Sequence, residues 1–269
     1  MENKKYIIID KNTPILQNGL TDMRDRLLDF LRVSKYYNLI PILPKMTLLD
    51  KHTNKKNSLL NDYIELPDNI LEKLPDTDIS NVFIWTLKDN WLSNDTFFQD
   101  LRKKTFNKIF DEKYYTHLPY KKKFKKNAEK IISDLEKPIC IIKVRRTDYL
   151  NLLPQIKLET TPENICSLLI NKEKELQTKF GTVYIMTDEK DTEYFQYLYD
   201  FYNIKQYFHF PILKELKKDN YALYAVETFI RDLACYRISM FKTQNRAKMD
   251  GEIIPNYYHG SISSIGGFQ

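Results

Sequence analysis

Short apolar runs alternate with stretches of helical periodicity along this chain of 269 residues. Tyr6 to Ile9 is an apolar run of strand length, and residues 12–19 form a loop holding Pro14 and Gly19. From Thr21 onward Met23, Leu27, Leu28, Phe30, Leu31, Val33 and Tyr36 recur at helical spacing, with Thr21 or Asp22 able to cap the helix. Leu39 to Pro44 is a short strand bracketed by prolines, residues 51–57 are a polar, lysine-rich loop, and Val82 to Thr86 is another strand. Trp91 to Phe110 is mixed and helical in composition.

The pattern is more regular in the second half. Lys121 to Lys126 is the densest run of charge, but Phe124, Ala128, Ile131, Ile132 and Leu135 continue behind it at helical spacing. It reads as the solvated start of an amphipathic helix rather than a polyanion patch. Pro138 ends that helix, and the strand Cys140 to Val144 begins. A helix from Thr161 to Lys179, with Thr161-Pro162-Glu163 as its start, leads to the strand Val183 to Met186. Glu193 to Tyr202 reads as helix, Gln206 to Phe210 as strand, Asp219 to Ala234 as helix and Ile238 to Phe241 as a last strand. Strands alternating with helices predict βα units and parallel sheets. The expected division is residues 1–125, an α/β half with fewer and weaker strands, and residues 126–269, a compact nucleotide-binding half.

Composition narrows the class. At 42% hydrophobic and 29% charged residues the chain is an ordinary globular one, without long disorder. A net charge of +6 suits an anionic ligand but falls short of the density that demands nucleic acid, so none is expected as a partner. Cys140, Cys166 and Cys235 show no short spacing, which excludes a CxxC metal site, and Cys140 and Cys235 read as buried small hydrophobes. His52, His117, His209 and His259 have neither ligand spacing nor a nucleophile partner. Asp76-Thr77-Asp78 has the spacing of a metal-binding Asp-x-Asp, yet it precedes a strand instead of following one and reads as a turn or cap. With six glycines and no GxxxxGK[ST] or GxGxxG, a glycine-rich phosphate cradle is not expected. No run approaches the about 20 apolar residues of a membrane span, and the N-terminus reads as a first strand, so the expectation is a cytoplasmic protein.

The chemistry concentrates at the end of the strand Cys140 to Val144, where Arg145, Arg146, Thr147 and Asp148 follow Lys143-Val144. Side chains alternate along a strand, so the two arginines leave it in different directions. In open α/β sheets ligands bind at the carboxyl ends of strands, and permanently charged guanidinium forks there suit a phosphate or diphosphate. Ion pairs with acidic neighbours at the loop edge are the alternative.

Lys143-Val144-Arg145-Arg146-Thr147-Asp148 resembles the His-Val-Arg-Arg-Thr-Asp motif of the α1,6-fucosyltransferases and the His-x-Arg-x-Gly-Asp of protein O-fucosyltransferases. Three further segments follow the same pattern in family order. Asn18 to Arg24 with Leu39 to Pro44 is similar to the family's glycine loop, helix and strand. Val183 to Asp188 resembles its strand ending in Thr-Asp or Ser-Asp, and Glu227 through Thr243-Gln244 its acidic helix and hydroxyl-tipped strand. The resemblance implies a GT-B-like α/β fold, two Rossmann-like halves with parallel sheets facing across a cleft. It implies metal-independent, inverting transfer of fucose from GDP-fucose to a glycan or protein hydroxyl, with no cofactor beyond the donor substrate, and the N-terminal half on the acceptor side.

Carried over residue by residue, the resemblance makes Arg145 the essential arginine that stabilises the leaving diphosphate, and Arg146 a second donor contact or its support. Asp148 orients the arginines or caps a turn. Thr187 and Asp188 border the nucleoside or cap a helix start. Glu227 accepts from the guanine N–H edge, or is an exposed helical glutamate. Lys242 and Thr243 stand where the family contacts the phosphates, and Asn18, Gly19 and Arg24 in its glycine loop. Asp22 and Asp25 are the candidates for a general base. The chain departs from the pattern in three places: Lys143 replaces the histidine, only Gly19 survives of the loop glycines, and Leu153 occupies the position of an acidic residue. Those departures leave α1,6 linkage unsupported and keep a non-catalytic nucleotide-sugar or glycan-binding protein as the alternative, with a basic nucleic-acid-binding protein behind it.

Overall fold

The computed structural model describes residues 4–9, 19–43, 45–48, 55–76, 81–85, 117–147, 150, 156–239 and 261–262. The chain divides into two compact units, residues 1–123 with 218–225, and residues 124–217 with 226–269.

In the first unit, β1 (Tyr6–Ile9) is the middle strand of a parallel sheet, between β2 (Ile40–Ile42) and β3 (Val82–Trp85). The amphipathic stripe anticipated from the periodicity forms α1 (Leu20–Tyr36), whose Met23, Leu27, Phe30 and Leu31 are buried with Ile7, Ile9 and Ile42. Gly19 is its N-cap and supplies no side-chain hydrogen bond, so neither Thr21 nor Asp22 caps it; both lie inside the helix. Elsewhere in this unit the hydroxyl of buried Tyr63 reaches the Asp219 carboxylate at 2.9 Å, and the Arg24 guanidinium lies 4.8 Å from the Tyr120 ring centroid.

The second unit opens with α2 (Lys122–Ser133), whose first residues still belong to the first unit. Phe124, Ala128 and Ile131 are buried on one side, while Lys122, Lys123, Lys125 and Lys126 stay exposed on the other. Then come β4 (Ile139–Val144), the short α3 (Ile156–Glu159), α4 (Pro162–Leu176) and β5 (Thr182–Thr187). Thr161 caps α4 by accepting from the Asn164 N–H at 3.3 Å, and Gln177 ends it in the left-handed conformation. The start signal is where the sequence puts it; the helix stops short of Lys179.

Beyond β5 two expectations are corrected. Glu193 to Tyr202 forms a 3-10 turn at Gln196–Asp200 rather than an α-helix. Gln206 to Phe210 is not a strand: β6 is the pair Ile204–Lys205, and Tyr207–His209 is a 3-10 turn. The His209 ring accepts from the Gln206 N–H at 2.9 Å, a local bond that closes the turn against the pull of an aromatic-rich run toward extended structure. Phe210 is then extended because Pro211, the first residue of α5 (Pro211–Leu216), disfavours a helical residue before it. The unit closes with α6 (Asn220–Leu233), whose first turns belong to the first unit, β7 (Tyr236–Ser239) and β8 (Ser261–Ile262).

The sheet order is β6-β5-β4-β7-β8, parallel except for the last pair. From β4 the chain steps to one side for β5 and β6 and then returns to the other for β7, so the order reverses beside β4. That is the topological switch point at which open α/β sheets bind ligands. One face of this sheet buries Cys140, Ile142, Val144, Val183, Ile185 and Ile238 against Ile165, Cys166 and Leu169 of α4 and against Leu198. Cys140 and Cys166 are buried thiols, but Cys235 is only half-buried, because it sits in the turn before β7 and not within it. Both units are therefore α/β and built on parallel sheets. Among the described residues no helix is long and apolar enough to cross a membrane.

Candidate functional site

In register, Val144 at the end of β4 is paired with Thr187 at the end of β5. The residues just beyond, Arg145 and Asp188, are thereby neighbours. Asp188 is the hub of the strand ends. Its Oδ1 accepts the Arg146 backbone N–H at 2.6 Å, its Oδ2 accepts the Thr147 hydroxyl at 2.7 Å, and the Arg145 Nε lies 3.8 Å from Oδ2. Thr187 accepts the Glu189 N–H at 3.0 Å and so shapes the turn that presents Asp188.

The two adjacent arginines beyond β4 differ in exposure and in partner. Arg146 turns to the α4 face and its side chain is 8% exposed. Its Nε donates to Glu189 at 2.8 Å, its Nη1 donates to the Thr160 hydroxyl at 2.6 Å, and its guanidinium lies 3.9 Å from the Tyr194 ring centroid. Burial pushes the Glu189 carboxyl up, but the N–H groups of Asp191 and Lys190 and the Arg146 cation outweigh it and hold the carboxyl below its ordinary range. The Arg146 guanidinium is thus enclosed, bonded to Glu189 and Thr160. Arg145 keeps 41% of its side chain exposed at the same strand end. The ion-pair reading of the strand end therefore holds for Arg146, whose contact with Glu189 is the shorter and more buried one, while Arg145 is the more exposed of the two cations.

Glu227 is not the exposed helical glutamate of the plainer reading. It lies on α6 at 7% exposure and accepts the Tyr184 hydroxyl at 2.8 Å. Burial raises its carboxyl and outweighs the Tyr184 hydroxyl, Lys217 and Lys143, which lower it, so that it stands at about 7. Lys143 sits on β4 beside Met186 of β5, on the face opposite the α4 core. The same charge and burial hold the Tyr184 hydroxyl well above its ordinary range.

Several other candidates lie in the first unit or outside the described residues. Gly19 and Arg24 belong to α1 and its cap in the first unit. Asp22 and Asp25 lie on α1, but their side chains are outside what is described, as are Asn18, Asp148, Leu153, Lys242 and Thr243 altogether. Asp76 is in a bend, and Thr77 and Asp78 lie outside the described residues. Among the described residues no group of three His, Cys, Asp or Glu side chains could hold a metal ion. Sequence reasoning passed over Thr160, Glu189, Tyr194 and Tyr184. For Glu189 the adjacent Thr-Asp was a signal; for the others no local pattern marks them, since each matters only through a distant partner.

No family model and no curated protein sequence matches the chain. Solved structures do. The chain is similar to a crystal structure of the fucosyltransferase NodZ from Bradyrhizobium, with a TM-score of 0.50 at 11% identity over 97% of this chain and 99% of that one. It also aligns with NodZ alpha-1,6-fucosyltransferase soaked with GDP-fucose, TM-score 0.45 at 10% identity, covering 97% and 99% of the two chains. POFUT1 in complex with GDP-fucose aligns with TM-score 0.46 at 11% identity, covering 86% and 95%. The first likeness shows a fucosyltransferase-like fold for this chain.

Proposed function

We propose that this protein is a glycosyltransferase that takes a GDP-sugar, GDP-fucose foremost, and transfers the sugar to a hydroxyl of a glycan or protein. The observation that carries the reading is Arg145: a half-exposed guanidinium at the carboxyl end of β4, beside the switch point, held at its strand end by the bonds Asp188 makes to Arg146 and Thr147. Breaking the sugar–phosphate bond moves negative charge onto the diphosphate, and a preoriented cation stabilises that charge most when it needs no reorganisation. Arg146, locked by Glu189 and Thr160, keeps the strand end in place for Arg145. In this scheme the acceptor oxygen attacks the anomeric carbon on the face opposite the leaving GDP, inverting it, and its proton passes to a base for which Asp22 and Asp25 are the candidates. Arg145 does the work a divalent metal does elsewhere, so metal-independent transfer is part of the proposal. Lys143, Asp148, Thr187, Lys242, Thr243, Asn18, Gly19 and Arg24 remain proposed donor contacts by resemblance, and Glu227 the acceptor for guanine N–H donors.

The test is calorimetry with GDP in a buffer containing EDTA. Binding by wild type and its loss in Arg145→Ala are the expected results, with release of fucose from GDP-fucose above background as the activity readout. Well-folded wild type that binds no GDP would sink the proposal; binding without hydrolysis or transfer would leave a nucleotide-sugar-binding protein.

A further inference from the structure

A buried carboxylate needs hydrogen bonds or a proton to offset its lost hydration. Glu227 has one such bond among the described residues, from Tyr184, and it is made by an unusually rigid donor. Tyr184 is 0% exposed on β5, and its ring stacks on Phe210 with centroids 6.2 Å apart. The other charged or titratable groups near the carboxylate are Lys143 from β4, Lys217 just after α5, and Tyr207 from the turn before α5. Lys217 in turn lies 4.7 Å from the Tyr207 ring centroid. A carboxylate offers about four lone-pair sites, and the tyrosine hydroxyl takes one. The rest suit two neighbouring donors, provided the carboxylate plane is fixed and the group is ionised.

We infer that Tyr184 is a positioning residue for base recognition: its hydroxyl sets the plane of Glu227 and favours its charged form, so that discrimination in favour of guanine strengthens as Glu227 loses its proton. The inference rests on the GDP-sugar reading above and adds to it a residue and a pH dependence. When Glu227 is protonated, its O–H cannot accept from the second of guanine's paired donors, the exocyclic amino group. With the carboxyl pushed up to about 7, that change falls in an accessible range.

The probes are GDP and inosine diphosphate, which differ only by the amino group, so ionisation of the shared diphosphate cancels in the ratio of their affinities. For wild type the ratio is expected to favour GDP by about tenfold at pH 8 and to fall toward parity at pH 6. In Tyr184→Phe the ratio at pH 7 drops by roughly threefold or more and its midpoint moves to higher pH, while affinity for inosine diphosphate, which keeps only the ring N–H, falls by less than that for GDP. A merely structural tyrosine would lower the melting temperature and leave the ratio alone. A flat wild-type ratio between pH 6 and pH 8 overturns the inference without any variant, as does a folded Tyr184→Phe protein with the wild-type profile. Failure of wild type to bind either diphosphate overturns the donor reading itself, and this inference with it.

Discussion

Asp188 Oδ1 accepts the backbone N–H of Arg146 at 2.6 Å, which ties the tip of β4 to the tip of β5. The bond is charge-assisted and flanked by a second one from the Thr147 hydroxyl to the same carboxylate. One side chain thus sets the path of the segment that carries both arginines. Asp188→Ala is expected to lower unfolding free energy by about 1–3 kcal/mol and GDP affinity by about tenfold. Asp188→Asn, which keeps an acceptor for the Arg146 N–H, should fall between the two proteins. Urea unfolding and calorimetry read these effects; unaltered GDP affinity in a folded Asp188→Ala protein would refute the role given to the carboxylate.

The neighbouring arginines should separate binding from stability. Arg145→Ala removes a half-exposed side chain and is expected to change stability by less than about 0.5 kcal/mol while abolishing GDP binding. Arg146→Ala leaves Glu189 beside an empty site where its guanidinium partner was, at a cost of about 3–5 kcal/mol. Arg146→Lys should not restore it, because a lysine cannot reach Glu189 and Thr160 together in the fork geometry. Thermal unfolding of the three variants beside wild type is sufficient; equal melting temperatures would show that the burial of Arg146 has no energetic consequence.

Glu227 gives stability a definite pH dependence. Its carboxyl is pushed up to about 7 in the folded chain from 4.5, so the folded state binds more protons between those values. Stability from this group is therefore lost as pH rises from about 4.5 to about 7, by on the order of 3 kcal/mol. Glu189, held below its ordinary value, acts in the opposite sense, its contribution being lost on acidification. Relative to wild type, Glu227→Gln should gain stability at pH 8, and that gain should shrink toward pH 5. Urea titrations at the two pH values check this, and a difference independent of pH would contradict it.

Gly181 has no room for a methyl group. A Cβ there would stand 2.6 Å from the carbonyl oxygen of Lys137, a backbone atom that cannot move aside as a flexible side chain could. Its own N–H donates to the Pro138 carbonyl at 2.9 Å, which holds the start of β5 against the segment leading into β4. Gly181→Ala is expected to destabilise by about 1–3 kcal/mol, with little direct effect on nucleotide affinity. Chemical denaturation of the variant would test it, and a neutral result would mean that the two segments can part without cost.

Much of the fold was legible because it is local. The stripe of α1, the Thr161-Pro162 start of α4 and the apolar runs of β4 and β5 follow from periodicity and capping chemistry, and the structure has them. Where a local side-chain bond competes with propensity, as His209 does with the aromatic run at 206–210, the pattern misleads. The site was legible in part. The motif at the end of β4 marked Arg145 and Arg146 together, and the Thr-Asp at the end of β5 marked their neighbour.

What the sequence determined by itself is where β4 ends and that two permanent cations follow it, since both depend on residues adjacent in the chain. The tertiary structure alone decided which arginine is enclosed and which is accessible, because Thr160 and Glu189 reach Arg146 from 14 and 43 positions away. It also decided that Glu227 is an enclosed carboxylate and not a solvated one, through a tyrosine 43 positions earlier on β5. Burial and charge pairing are properties of packed surfaces, and a parallel sheet brings together side chains that no periodicity along the chain relates.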